Sequence, residues 1–151
     1  MDIIQFLIQD HDRLRADALQ IRKHLKEKIV REKIKKYIAH FERHEWIEDK
    51  FLLGHLKNIA ARSEIENLMH EYEKNHREIW KSLNHLMQDV DNRDFQMLRT
   101  DFFNFSEIVE RHGFSEERLY FPIFSQYISP PALEELGQKS REYYDDDNSC
   151  S

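Results

Sequence analysis

Apolar residues recur along the chain at alternating steps of three and four, which is the spacing of one helix face. Four long segments carry this pattern, and no segment alternates apolar and polar residues as a half-buried strand does. The pattern predicts helices over residues 2–28, 31–60, 64–90 and 94–128. Because the connections are short, consecutive helices must run antiparallel, which gives an all-α, up-down-up-down four-helix bundle.

The C-terminal part of the chain is predicted to differ from these four segments. Residues 129–131 (Ser-Pro-Pro) end the fourth helix and can cap a short fifth one, since proline is tolerated in a first helical turn. From Asp145 onwards the chain is acidic and polar, which is typical of disorder. The sequence therefore predicts a bundle domain over residues 1–144, with a short C-terminal extension, and a disordered acidic tail over residues 145–151.

Each of the four apolar faces is interrupted by polar residues near one place. The interruptions are His11 in the first segment, His44 with Glu48 in the second, His76 in the third, and His112 with Glu116 in the fourth. Residues four apart share a helix face, so each His–Glu pair projects two side chains inward. Counted from one end of the bundle at about 1.5 Å per residue, the four histidines lie within roughly 8 Å of one another in height. Four imidazoles and two carboxylates are thus expected in one layer of the core.

A metal ion would explain such a buried polar layer. Burial without compensation costs several kcal/mol per charge, whereas a cation keeps the carboxylates ionised and the histidines neutral. Imidazole and carboxylate ligands suit iron, manganese or zinc. Two bridging carboxylates flanked by histidines suit a pair of ions better than one. A buried His–Glu hydrogen-bond network without metal is the alternative.

These motifs resemble the hemerythrin-like (HHE cation-binding) family over roughly residues 3–128. That family has a His on the first helix, H-x-x-x-E on the second, H-x-x-x-H on the third, and H-x-x-x-E or H-x-x-x-x-D on the fourth. Three of these elements are matched here by His11 in QDHDRL, by His44 with Glu48 in HEWIE, and by His112 with Glu116 in HGFSE. The resemblance implies a hemerythrin-like bundle with a non-haem di-iron centre. Glu48 and Glu116 would bridge two Fe2+/Fe3+ ions that also share an oxo or hydroxo group.

The third helix departs from the family pattern. His76 matches the second His of the expected pair, but the residue four positions earlier is Tyr72. Tyr72 is open to three interpretations: a phenolate ligand, a hydrogen-bond donor to a bound ligand, or a plain core residue. His70 lies six residues from His76, about 240° around the helix, and is expected at the surface unless a π-bulge distorts the helix.

Two residues of the second helix are further candidate ligands. Glu45 follows His44 directly, and a similar H-E-x-x-E arrangement occurs in the hemerythrin-like iron-sensing domain of an F-box ubiquitin-ligase subunit. By that resemblance Glu45 would replace the missing His as a ligand, although a solvated surface position is the favoured interpretation. His40 lies four residues before His44 and could bind metal together with it.

Composition limits the classes of partner. The net charge is −6 at pH 7, so neither nucleic acid nor an anionic lipid surface would attract the protein. Charged residues make up 34% of the chain, which argues against a membrane span. The single cysteine, Cys150, and the absence of a secretory signal pattern favour a cytoplasmic location. The oligomeric state does not follow from the sequence.

The family resemblance implies a protein that binds O2, another small diatomic molecule or peroxide, for carriage, storage or sensing. We expect the following apolar residues to line a dry pocket beside the metal, which would favour reversible O2 binding: Leu14, Ile47, Phe105, Val109 and Leu119. The alternatives are a di-iron enzyme acting on peroxide, O2 or NO, and an iron-sensing regulatory domain. No catalytic residue is evident besides the ligands, so a binding protein is favoured over an enzyme.

Overall fold

A computed structural model describes residues 1–92 and 94–149, and helices account for all regular structure within them. The helices are α1 (Ile3–Lys23), α2 (Glu27–Ile47), α3 (Gly54–Lys57), α4 (Glu66–Asp89), α5 (Phe95–Ser115), α6 (Phe121–Ser125) and α7 (Pro130–Ser149). Two π-helical turns join α2 to α3 and α5 to α6, and they span Glu48–Leu53 and Glu116–Tyr120. A 3₁₀ turn, Ala60–Glu64, precedes α4. The predicted all-α fold class is confirmed.

The helices α1, α2, α4 and α5 form the bundle that the apolar pattern predicted. α1 packs against α2 and α5, and α4 packs against the same two helices. Short connections (residues 24–26, 58–65 and 90–94) make consecutive bundle helices antiparallel. Within the part of the chain that the structure describes, every helix is too short or too polar to span a lipid bilayer.

The apolar core is divided in two by a polar layer. On each bundle helix a histidine lies between residues of the two apolar clusters: Leu7, His11 and Leu14 on α1; Phe41, His44 and Ile47 on α2; Tyr72, His76 and Ile79 on α4; Val109, His112 and, beyond the π-helical turn, Tyr120 on α5 and its continuation. The histidines therefore lie at one depth, as the counting of helical rises predicted.

The two π-helical turns shift the buried face by one residue. A π-helical turn is closed by i→i+5 hydrogen bonds, so it contains one residue more than an α-helical turn. The α-helical pattern predicts Phe51 and Leu119 on the buried faces, but the structure buries Leu52 and Tyr120 there. Leu119 is 43% exposed, so the prediction that it lines a pocket beside the metal is wrong.

The last helix differs from its predicted form. α7 has 20 residues rather than being a short extension. Its backbone stays helical to Ser149, where the acidic composition from Asp145 predicts disorder. Cys150 and Ser151, the end of the predicted tail, lie outside the described residues. α7 packs along α1 and thereby covers one side of the bundle.

Gly137 is a point of close approach between α7 and the start of α1. A β-carbon added there would overlap the carbonyl oxygen of Met1 and would lie 2.8 Å from the carbonyl carbon of Asp2. Gly137→Ala should therefore lower the free energy of unfolding by about 1–3 kcal/mol, as overpacking does.

A second glycine provides a matched control for that prediction. In Gly54→Ala the added carbon would meet only the Asp49 carbonyl oxygen, at 3.7 Å. This variant should gain up to about 1 kcal/mol through helix propensity. Urea unfolding of both variants measures the difference. A Gly137→Ala protein as stable as the parent would contradict the close packing of α7.

Candidate metal centre

The six principal predicted ligands come together between the two apolar clusters. All six side chains are buried: His11, His44, Glu48, His76, His112 and Glu116. The four histidines come from the four bundle helices, and each glutamate is the first residue of a π-helical turn. The residues from each histidine to its glutamate therefore keep α-helical spacing. The extra residue of the π-helical turn comes only after the buried glutamate.

One group of side chains, which we name the first cluster, consists of His11, His44, Glu48 and Glu116. Nε2 of His11 lies 3.1 Å from Nε2 of His44 and 3.1 Å from Oε1 of Glu116. Nε2 of His44 lies 2.6 Å from Oε1 of Glu48. Two ligand atoms that each lie about 2.1 Å from the same ion, and form a right angle at it, are about 3 Å apart. These separations therefore suit a shared cation.

The second cluster consists of Glu45, Glu48, His76 and His112. Nε2 of His76 lies 3.1 Å from Oε2 of Glu48, and Nε2 of His112 lies 3.9 Å from Oε1 of Glu45. Glu116 also faces this cluster, with its Oε1 3.5 Å from Nε2 of His112. Glu48 thus offers one oxygen to each cluster, as a carboxylate that bridges two cations does.

Several buried polar atoms of this layer have no hydrogen-bond partner among the described residues. They are both carboxylate oxygens of Glu45, both of Glu48, Nδ1 of His11, and Nε2 of His76 and of His112. Buried polar atoms are nearly always paired, so this concentration needs an explanation. Oε1 of Glu48 is close to Nε2 of His44 without the geometry of a hydrogen bond. Buried ligand atoms that lie close together without hydrogen bonds fit a metal site.

Two aspartates outside the clusters orient two of the histidines. Oδ2 of Asp10 lies 2.8 Å from Nδ1 of His44, and Oδ1 of Asp49 lies 2.7 Å from Nδ1 of His76. A carboxylate that accepts the Nδ1 proton leaves the lone pair of Nε2 available to a metal. Nε2 of His44 faces the first cluster, and Nε2 of His76 faces Oε2 of Glu48, while Nδ1 of His76 also lies 3.1 Å from Oε2 of Glu45. A proton held on Nδ1 leaves Nε2 of each ring available to a metal.

The carboxylates of this layer differ in their ionisation. Burial alone would raise the pKa of Glu48, but His44 and the other histidines around it lower that pKa well below its ordinary value. The pKa of Glu116 is also lowered despite its burial, mainly by His112. Burial raises the pKa of Glu45 well above its ordinary value, because nearby imidazole does not offset the loss of water. Without a cation, Glu45 therefore favours its protonated, neutral form, and a bound cation would favour its ionised form.

Three of the less certain candidate ligands take different places. Glu45 is completely buried in the second cluster, so the favoured interpretation of a solvated surface position is wrong. His70 is exposed and belongs to neither cluster. His40 also lies outside both clusters, and its Nε2 is 2.6 Å from Oδ1 of Asp10. His40 thus supports the layer from outside, and the geometry does not place His40 or His70 among the ligands.

Tyr72 is a buried hydrogen-bond donor. Its hydroxyl oxygen lies 2.6 Å from Oε2 of Glu116. Burial, together with the carboxylates of Glu116 and Glu48, raises the pKa of this phenol well above its ordinary value. The hydroxyl therefore keeps its proton and donates a hydrogen bond to a candidate ligand. The ring lies in an apolar core cluster, as the interpretation of a core residue predicted, and the hydrogen bond to Glu116 is an addition to that role.

Tyr72→Phe should leave the number of bound metal ions unchanged, because the hydroxyl contacts a candidate ligand and does not replace one. Loss of a hydrogen bond to a carboxylate should lower the free energy of unfolding by about 1.5–3 kcal/mol. Tyr37→Phe is the control, since it removes the hydroxyl of another buried tyrosine that packs in the opposite apolar cluster. Metal analysis and urea unfolding check both variants. Loss of one ion in Tyr72→Phe alone would identify Tyr72 as a ligand.

Asp10 and Tyr144 are absent from the site residues that the sequence predicted. Asp10 is completely buried, and the Tyr144 hydroxyl of α7 donates a hydrogen bond to its Oδ2. One signal for Asp10 exists in the sequence, since it lies three residues after Leu7 and four before Leu14, which is the spacing of the buried face. Tyr144 lies four residues after the buried Ser140 on α7, so its burial follows helical spacing, but its partner Asp10 does not.

A family model described as the hemerythrin HHE cation-binding domain matches residues 2–124, which include every residue of both clusters. The chain belongs to this family. Searches of curated proteins and of solved structures find no match for this HHE domain. The family's cation-binding role agrees with the two buried clusters, and α7 lies beyond the matched segment.

A cavity of about 230 Å³ reaches the first cluster of this HHE domain between α1 and α5. The ring of His11 forms part of its wall, and so do Leu14 and Val109. These are two of the five apolar residues predicted to line a pocket, and the other three do not border this cavity. Arg15 and Arg22 line it as well, so the pocket is partly polar and differs from the dry pocket that the sequence predicted.

Proposed function

We propose that this protein is a non-haem di-iron protein that binds O2 or a related small molecule, for carriage, storage or sensing. The position of Glu48 supports this proposal, because its Oε1 faces the first cluster and its Oε2 faces the second. The two clusters would then hold two ions side by side. Ferrous iron, when bound, supplies an oxidisable centre with coordination positions for a small ligand. The chain supplies the donors, the orientation of the histidines and the shape of the surrounding space.

The small molecule would bind on the side of the first cluster. That cluster has two imidazoles and two carboxylates, whereas the second has two imidazoles, Glu45 and Glu48, and is also faced by Glu116. An ion in the first cluster therefore has fewer donors from the chain around it. The cavity against His11 gives a small molecule room to approach on that side.

Three neighbouring residues would control the access of water and the direction of the Glu116 carboxylate at this position. Leu14 and Val109 form the apolar part of the cavity wall next to His11, and Arg15 and Arg22 form a polar part. The Tyr72 hydroxyl donates to Glu116 and keeps that carboxylate in a fixed direction. The apolar part of the wall would slow proton entry next to His11, which favours reversible binding over oxidation.

Repeated oxygenation tests this proposal. Metal-free protein is loaded with ferrous iron under anaerobic conditions, exposed to O2, and then returned to argon. We expect a visible absorption band that appears with O2 and disappears under argon over several cycles. Zinc-loaded protein is the control, because zinc has no redox chemistry. Irreversible oxidation at the first exposure would contradict a binding protein and favour the alternative of a di-iron enzyme.

The burial of Glu45 favours one further candidate function, an iron-sensing regulatory domain. Without cations, three carboxylates share a small space in the core, which destabilises the fold. Metal that binds only the folded state stabilises it by mass action, so the fold itself would report the iron supply. Circular dichroism and limited proteolysis before and after chelation test this function. A fold unchanged by chelation would exclude it.

A further inference from the structure

We propose that Tyr144, on α7, is a positioning residue for the first cluster and acts on it through Asp10 and His44. This inference rests on the proposed function, because it concerns how the first cluster holds its metal ion. It extends that function by assigning part of the support of the centre to a helix that lies outside the matched residues 2–124.

Asp10 is a buried carboxylate held from three directions. Nε2 of His40 lies 2.6 Å from its Oδ1, and Nδ1 of His44 lies 2.8 Å from its Oδ2. The Tyr144 hydroxyl donates to the same Oδ2. A carboxyl group turns readily about its last bond, since that torsion has broad minima. Contacts to both oxygens therefore fix its plane, and one of the three comes from α7.

His44 transmits this orientation to the first cluster. Its Nδ1 faces Asp10, so its Nε2 faces Oε1 of Glu48 at 2.6 Å and Nε2 of His11 at 3.1 Å. Removing the outer partner of a metal-binding histidine typically changes metal affinity by about 10–100-fold. Tyr144 holds that outer partner, and its hydroxyl should influence the same affinity through two successive hydrogen bonds.

Packing keeps the Tyr144 hydroxyl in place. Its ring meets the ring of Phe6 edge-on, with 5.0 Å between the centroids, and the Arg43 guanidinium carbon lies 5.4 Å from the ring centre. Two turns earlier on α7, Gly137 packs directly on the backbone of Met1. α7 is thus seated on α1 and α2 at separate points, and it presents one hydroxyl to Asp10.

The second cluster provides an internal comparison. Its His76 is oriented by Asp49, which lies in the π-helical turn directly after Glu48. The ion-pairing partners that the structure gives His76 and His112 are Glu45, Glu48, Asp49 and Glu116, and all four belong to α2 or to the π-helical turns. A substitution at Tyr144 should therefore lower the metal affinity of the first cluster more than that of the second. A general loss of stability would lower both affinities alike.

Cobalt binding by Tyr144→Phe tests this inference in the full chain. Co2+ is the probe, because its paramagnetism displaces the N–H resonances of the imidazoles that bind it. Chelator competition should show an affinity about 10-fold lower at one of two sites. The N–H signal of His44 should move or exchange faster with solvent, and that of His76 should stay unchanged.

Tyr143→Phe is the matched control, since it removes the neighbouring hydroxyl from a ring that stacks on Trp46 at 4.3 Å. This variant should bind both ions as the parent does. Gly137→Ala disturbs the seat of α7 while keeping Tyr144, so it should weaken the same site.

Two results would overturn the inference. One is an equal weakening of both sites with a lower melting temperature of the metal-free protein, which would indicate a structural role for Tyr144. The other is a Tyr144→Phe protein with unchanged affinities and signals. Failure of the proposed function would look different, because the unsubstituted protein would then bind no pair of Co2+ ions or show no reversible oxygenation.

Discussion

Glu48→Ala should remove both metal ions from the protein. One carboxylate oxygen of Glu48 faces His44 at 2.6 Å and the other faces His76 at 3.1 Å, so each cluster loses a donor in this single variant. The two bound cations also lose the negative charge that lies between them, so the repulsion between the cations increases. The metal-to-protein ratio after reconstitution and desalting should fall from two to near zero.

Glu42→Ala is the matched control for this loss. Glu42 lies six residues earlier on the same helical run, is half-buried and belongs to neither cluster. It should keep two ions per chain. A Glu48→Ala protein that also retains two ions would contradict the bridging position of Glu48, and retention of one would assign Glu48 to a single cluster.

Glu45→Gln should change stability in opposite directions without and with metal. In the metal-free protein both oxygens of Glu45 are buried without a hydrogen-bond partner among the described residues, and burial raises the pKa. A carboxyl group whose pKa is raised by folding costs stability above its ordinary pKa, and the cost disappears in acid, where the unfolded chain is protonated too. At pH 7 the neutral amide should therefore increase the free energy of unfolding by about 1–2 kcal/mol.

With metal bound, the same substitution should be harmful. An amide is a poorer donor than a carboxylate, and a 10–100-fold loss of affinity corresponds to about 1.4–2.8 kcal/mol of metal-dependent stability. Urea unfolding in chelator and in saturating metal measures both effects. Glu42→Gln should give the same small change in the two conditions. If Glu45→Gln changes stability in the same direction in both, Glu45 is not a ligand.

The polar layer could be predicted from the sequence because it depends only on regular helix geometry. The positions of His11, His44, His76 and His112 follow from a constant rise per residue and from short connections, and the structure places all four between the two apolar clusters. The H-x-x-x-E pairs follow in the same way, since a spacing of four keeps both side chains on one face.

Other features could not be predicted, because they depend on irregular helix geometry or on contacts between residues far apart in the sequence. A π-helical turn after Glu116 moves the buried position from Leu119 to Tyr120, and no α-helical periodicity contains that extra residue. The burial of Glu45 follows from the fit of α2 against α4 and not from its place in the sequence. The hydrogen bond from Tyr144 to Asp10 joins residues 134 positions apart, so no local pattern indicates it.

Anomalous diffraction at the iron absorption edge, from crystals of protein purified without added metal, measures the central feature of this centre directly. Two anomalous peaks should appear in the polar layer, one between His11 and His44 and one between His76 and His112, with Glu48 in contact with both. A single peak, a peak elsewhere, or a folded protein with no peak in this layer would contradict a di-iron centre at these residues.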